Sequence, residues 1–138
     1  MNPFEADFIG SWIFDPSLDS QMYREFLLSE FNTGLFYMKI EDRERRGDTE
    51  KIRGTIEDSF GNSIFEGELN QNHIEFMKTY DSVSIQRGAA REGVRYEGSF
   101  VEDHYEGQFT VINGIVKGEV KDWSMEFIMW KTSGPSMN

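Results

Sequence analysis

The sequence predicts an all-β chain, a closed antiparallel up-and-down barrel of about eight to ten strands with one helix between strands 1 and 2. Three observations carry this. A short unit, apolar–any–Gly–any–apolar, recurs along the chain; turn residues separate its copies; and one segment breaks the strand pattern with helical spacing. The unit appears as Phe8-Ile9-Gly10-Ser11-Trp12, Ile52-Arg53-Gly54-Thr55-Ile56, Phe65-Glu66-Gly67-Glu68-Leu69, Tyr96-Glu97-Gly98-Ser99-Phe100, Tyr105-Glu106-Gly107-Gln108-Phe109 and Val116-Lys117-Gly118-Glu119-Val120. Strand side chains alternate faces, so each Gly shares a face with its two apolar neighbours while the other face is polar. Repeated on an inner face, glycine lets a sheet curl tightly while aromatic rings fill the space beside each gap. Closure explains the repetition better than a two-sheet sandwich, the competing arrangement.

Taken in order, the first strand is Phe8 to Trp12. From Asp15, Leu18, Met22 and Phe26, with Tyr23 and Leu27, recur at helical spacing. Asp15 is a good N-cap, Pro16 suits the first helical position and Asn32-Thr33-Gly34 supplies a stop, which predicts an amphipathic helix over Pro16 to Phe31 closing one end of the barrel. Leu35 to Glu41 reads as the second strand, and the mixed charges from Asp42 to Lys51 as a solvated connection whose arginines are neutralised by neighbouring acids. Strands follow at Ile52 to Glu57, Ser63 to Leu69, His73 to Tyr80, Val94 to Val101 and His104 to Val111, joined by the turns Asp58 to Asn62, Asn70 to Asn72 and Glu102-Asp103. Asp81 to Gly93 is the longest irregular link, with small residues that suit a flap near the barrel mouth; its Arg87 and Arg91 read first as part of a solvated loop and second as contacts to an anionic ligand. Asn113-Gly114 is a hairpin signal leading into a strand at Ile115 to Val120. Trp123 to Trp130 is the last strand, and residues 132–138 a frayed tail beyond an ordered core of 7–131.

The 138 residues suit a single domain over 1–138 with one core, and 14% aromatic content, with Phe at 12, argues for a packed interior. No cysteine is present, which excludes disulfides, thiolate catalysis and cysteine metal sites and fits a reducing, cytoplasmic home. Twenty-five acidic against 14 basic residues give a net charge of -11, which repels nucleic acid and anionic membranes. The start Met1 to Asp7 lacks the basic and apolar features of a secretory signal, and no apolar run is long enough to span a bilayer.

The series Gly10-Ser11-Trp12, Ile52-x-Gly54, Asp58, Gly61, Phe65-x-Gly67, Ile74-x-Phe76-x-Lys78-x-Tyr80, Tyr96-x-Gly98 and Tyr105-x-Gly107 resembles the calycin group, which comprises lipocalins, fatty-acid-binding proteins and avidin-like proteins. It is most similar to small bacterial lipocalin-like or avidin-like barrels, over roughly Phe8 to Lys131. The resemblance implies a central cavity for a small molecule, a lid-like helix after the first strand, and Trp12 as the plug of a closed end. Two departures stand out. The only basic residue near the end of the last strand is Lys131, where the group often carries an arginine stacked on the tryptophan, and Ile13-Phe14-Asp15 lacks the polar residue of biotin sites.

The candidate ligand-binding residues are Trp12, Tyr37, Phe65, Phe76, Lys78, Tyr80, Tyr96, Tyr105 and Phe127. Lys78 alternates with Ile74, Phe76 and Tyr80, which sets its stem on the inner face. It is either a cation for a ligand's acidic head group, with Tyr80 as neighbouring donor, or a structural lysine paired to an inward acid such as Asp58. Phe4, Phe14 and Phe109 are further candidates for lining. The expected partner is a small hydrophobic or amphipathic molecule held in a cavity under the helix or the Asp81 to Gly93 loop, with no cofactor and no metal. The alternative is a packed scaffold that contacts a protein or a second copy, as a homodimer, through Phe36, Met38, Ile128 and Trp130. His73 and His104 start strands and read as surface residues, and Glu66, Glu97 and Glu106 as members of cross-strand surface pairs. An enzymatic reading has least support; its best version is proton transfer through Lys78, Tyr80 or a buried acid.

Overall fold

Strands of alternating polarity with glycine on the apolar side curl until their edges meet, and that is the architecture of the computed structural model, which describes residues 5–14, 16–29 and 32–132. Eight antiparallel strands form a closed barrel in sequence order: β1 (Phe8–Trp12), β2 (Leu35–Arg46), β3 (Thr49–Asp58), β4 (Gly61–Leu69), β5 (His73–Tyr80), β6 (Val94–Val101), β7 (His104–Val116) and β8 (Glu119–Lys131). β8 pairs with β1, from Phe8 opposite Lys131 to Trp12 opposite Phe127, and this closes the sheet. Helices α1 (Ser20–Phe26) and α2 (Ser82–Gln86) sit in the β1–β2 and β5–β6 connections.

The glycines act through the space they leave. Gly10 lies opposite Phe36, and a Cβ there would fall inside the Phe36 ring. Gly67 lies opposite Phe76, and a Cβ would meet the Glu75 carbonyl and Phe76 itself. These two glycines thus admit the ring on the neighbouring strand, and Phe36, Phe65, Phe76 and Phe127 pack at 2% exposure or less. The sixth copy of the unit behaves differently. Lys117 (φ 52°) and Gly118 (φ 81°) form the two-residue turn between β7 and β8, where both positions need positive φ. Asn113-Gly114, expected to be that turn, instead lies inside β7 at a register shift against β8, with Asn113 at φ 50°. Asn-Gly encodes a positive φ, which a bulge needs as much as a turn does. The predicted strand at Ile115 to Val120 is therefore the tip of one long hairpin.

The charged segment from Asp42 to Lys51 is also strand. β2 and β3 continue as a ribbon past the barrel wall, turning at Gly47-Asp48, after a bulge at Glu41 that shifts the register. Arg53 binds Asp42 at 2.8 Å and Arg43 binds Glu50 at 3.0 Å, so the charges serve cross-strand pairing.

α1 is shorter than expected and lies elsewhere. Asp19 caps it by accepting from the Met22 N–H at 2.9 Å, and the Asn32 amide donates to the Leu27 carbonyl at 3.2 Å near its end. Asp15, Glu30 and Phe31, which the sequence places at the helix ends, lie outside the described residues, as do Phe4 and the tail from Ser133. The helix does not close the barrel. Tyr23 and Leu27 pack on the outer wall against Ala6, Ile9, Ile128 and Trp130. The cause is the outward face of β1 and β8, which is apolar and needs cover. The apolar outer patch expected of a scaffold is consequently absent at those positions. Ile128 and Trp130 lie under α1, and Phe36 and Met38 face inward at 0% exposure. His104 is buried on the same outer wall, between Asp103 (3.0 Å) and Glu106 (3.1 Å) and against Trp130, rather than being a surface residue.

Candidate functional site

The two ends of the barrel differ. One end carries the short turns β2–β3, β4–β5 and β6–β7, and its interior is filled. Tyr105 lies there, donating to the Asn70 carbonyl at 3.0 Å and packed edge-on to Phe8. The other end carries the β3–β4 turn, the α2 loop, the β7–β8 hairpin and the exit of β1, and it holds a cavity of about 920 Å3. Occupied ligand pockets are commonly roughly 300–1,000 Å3.

Inward positions at the ends of β1, β3, β5 and β6 form the cavity floor. Lys78 is 0% exposed, and its ammonium donates to Asp58 Oδ2 (2.9 Å), the Tyr80 hydroxyl (2.8 Å) and the Tyr96 hydroxyl (3.1 Å). Tyr80 donates to Asp58 Oδ2 at 2.7 Å, and Trp12 Nε1 donates to the Tyr96 hydroxyl at 2.7 Å. Asp58 Oδ1 accepts from the Phe60 N–H at 2.8 Å, which folds the β3–β4 turn so that the Phe60 ring stands over Trp12 and Tyr80. The ammonium also lies near three ring faces, 4.6 Å from the centroid of Tyr80, 5.1 Å from Tyr96 and 5.2 Å from Trp12.

These contacts set the charge states. Burial alone pulls the Lys78 pKa down, but the surrounding oxygens of Tyr96, Tyr80 and Asp58 outweigh it and hold the pKa above the ordinary lysine value. Lys78 is therefore an ammonium at neutral pH, unfit as a general base. Burial, and next the Asp58 carboxylate, push the Tyr80 hydroxyl up against the pull of Lys78, so it stays protonated.

Above this floor the walls are apolar: Phe109, Val111, Trp123 and Met125 from the β7–β8 hairpin, Val94 from β6, and Ile85, Ala89 and Ala90 from the α2 loop. Trp123 lies over Gly114, where a Cβ would strike its indole. Four residues at the mouth, Phe14, Phe60, Ile115 and Val120, are large, apolar and exposed. Arg91 and Glu92 also line it.

Of the sequence candidates, Trp12, Lys78, Tyr80 and Tyr96 meet at the floor. Phe65, Phe76 and Phe127 lie in the packed core beneath, with Phe76 stacked on Tyr96 at 4.6 Å. Tyr105 belongs to the opposite end. Tyr37 is not inside at all. Phe36 and Met38 face the core, so alternation turns Tyr37 outward, beside the apolar cluster under α1. Trp12 stands at the cavity end rather than plugging a closed one, and Lys131 pairs with Phe8 at the far end of β1. Sequence reasoning missed Phe60, whose position depends on the Asp58 turn, and the wall role of Ile85, Ala89 and Ala90. Trp123 and Met125 share the inner face of β8 with Phe127, as the period of two in a strand requires.

The outer wall offers less. A hollow of about 550 Å3 beside the β2–β3 ribbon is lined by residues of both signs, including the paired Arg53 and Asp42. Among the described residues, His73, Glu75 and Glu97 are the one group of metal-ligating types whose ligand atoms lie within 4.8 Å of one another. The two histidines do not share a site, since His104 has its own carboxylates.

Fold and cavity together define a small closed β-barrel with an apolar-walled chamber open at one end. No family model, no curated protein and no solved structure matches the chain. Among the described residues, no helix is long and apolar enough to cross a membrane.

Proposed function

We propose that this calycin-like barrel binds a small, predominantly apolar or aromatic molecule in the chamber at its mouth end. The observation that carries the reading is the contrast within one barrel: a solid lower half, and above it about 920 Å3 walled by rings and aliphatic side chains over a polar floor. Burying apolar ligand surface there contributes roughly 25 cal/mol per Å2. The exposed apolar residues at the mouth favour entry of such a molecule. The test is titration with a fluorescent apolar naphthalene probe, followed by displacement. Saturable binding at one site, lost when Ala89→Trp fills the chamber, supports the proposal. Unsaturable binding, or binding indifferent to that substitution, ends it.

A further inference from the structure

The floor of the chamber has one hydrogen-bond donor left to give. Lys78 has three N–H groups, and Asp58, Tyr80 and Tyr96 take all three. Tyr80 spends its proton on Asp58, and Trp12 spends its indole N–H on Tyr96. Neither an ammonium nor an indole N–H can accept a hydrogen bond, so the Tyr96 oxygen must be the acceptor in both of its contacts. Its own proton is then directed elsewhere, and no described residue accepts it. A hydroxyl whose oxygen receives two donors, one of them charged, is polarised toward giving its proton.

Charge decides what can receive that proton. Lys78 and Asp58 are both buried and lie 2.9 Å apart, so the floor is neutral as a unit. A ligand carboxylate brought to it would be a buried anion with no cation of its own, which is costly. A neutral acceptor needs only a donor. We propose that the ligand carries an uncharged carbonyl-type oxygen at its inner end, received by the Tyr96 hydroxyl, with its apolar body against Phe109, Val111, Trp123 and Met125. This rests on the chamber being a ligand site, and it replaces the acidic head group expected from Lys78 by a ketone, ester or amide oxygen.

Three naphthalenes of similar size separate the outcomes: 2-acetylnaphthalene, 2-ethylnaphthalene and 2-naphthoate, titrated into the intact protein by calorimetry. The ketone should bind about tenfold more tightly than the ethyl compound, and the carboxylate most weakly. Infrared spectroscopy of the bound ketone should show its C=O stretch lowered relative to that in an apolar solvent. Tyr96→Phe should abolish both the preference and the shift. Because that change orphans the Trp12 and Lys78 donors and can unfold the chain, the affinity order and the carbonyl stretch of the unsubstituted protein are the primary readout. Equal binding of ketone and ethyl compound, an unshifted stretch, or a preference for the carboxylate overturns the inference and leaves the chamber reading standing. Binding by none of the three removes both.

Discussion

Lys78 shows how much one side chain can mean in two directions. On an inward position it must be paired, and Asp58 at 2.9 Å supplies the pair. Lys78→Met leaves Asp58 buried without its cation, which should cost about 3–5 kcal/mol in urea unfolding. Adding Asp58→Asn should return part of that loss, because the two effects share one contact. The pH dependence follows from the same cluster. Lys78 and Tyr80 both have pKa values held above their ordinary ones, so the folded chain keeps protons that the unfolded chain releases. Their contribution to stability is fully present below about pH 10 and is lost as pH rises beyond it. Urea midpoints measured from pH 8 to 12 should fall on the alkaline side, and less steeply in the Lys78→Met/Asp58→Asn variant. A flat wild-type profile would contradict the assignment.

At the scale of elements, two features differ in kind. The glycine–ring pairing is internal to the sheet: Gly10→Ala would drive a Cβ into Phe36, and such overpacking costs about 1–3 kcal/mol. α1 is an external patch that covers Ile9, Ile128 and Trp130. Tyr23→Ala uncovers them and should destabilise by about 3 kcal/mol, the usual range for losing a buried ring. Its effect on naphthalene affinity should be nil while the barrel stays folded, since none of the α1 residues lines the chamber. A matched loss of affinity in Tyr23→Ala would mean that helix and chamber are coupled. The hairpin tip offers the converse case. Ile115→Asp and Val120→Asp alter exposed residues, so stability should stay within about 0.5 kcal/mol while naphthalene binding weakens.

At the scale of the molecule, ligand and fold are linked. A ligand that binds only the folded barrel raises its stability by about 2.7 kcal/mol at 100 times Kd, so the thermal midpoint should climb with 2-acetylnaphthalene concentration. Net charge of -11 spreads over an outer wall whose acids face solvent or pair across strands, while Lys78 and Asp58 inside cancel. The barrel thus divides its chemistry by face. Outside, charge is screened by water; inside, the same charges are enclosed and must be matched one to one.

The alternation Ile74-x-Phe76-x-Lys78-x-Tyr80 and the recurring glycine unit made the closed antiparallel barrel legible in the sequence, because facing is a local consequence of strand geometry with a period of two. The inward lysine and its candidate partner Asp58 were legible for the same reason. Other features depended on contacts between segments remote in sequence. Whether Asn113-Gly114 is a turn or a bulge is decided by pairing with β8, since both conformations need the same positive φ. Whether α1 caps the barrel or clads its wall is decided by which apolar face lies uncovered, and that face is made jointly by β1 and β8, more than a hundred residues apart. The chamber has the same origin. Its floor joins Trp12, Asp58, Lys78 and Tyr96, and only closure of the sheet brings four strand ends within hydrogen-bond reach and leaves one donor free.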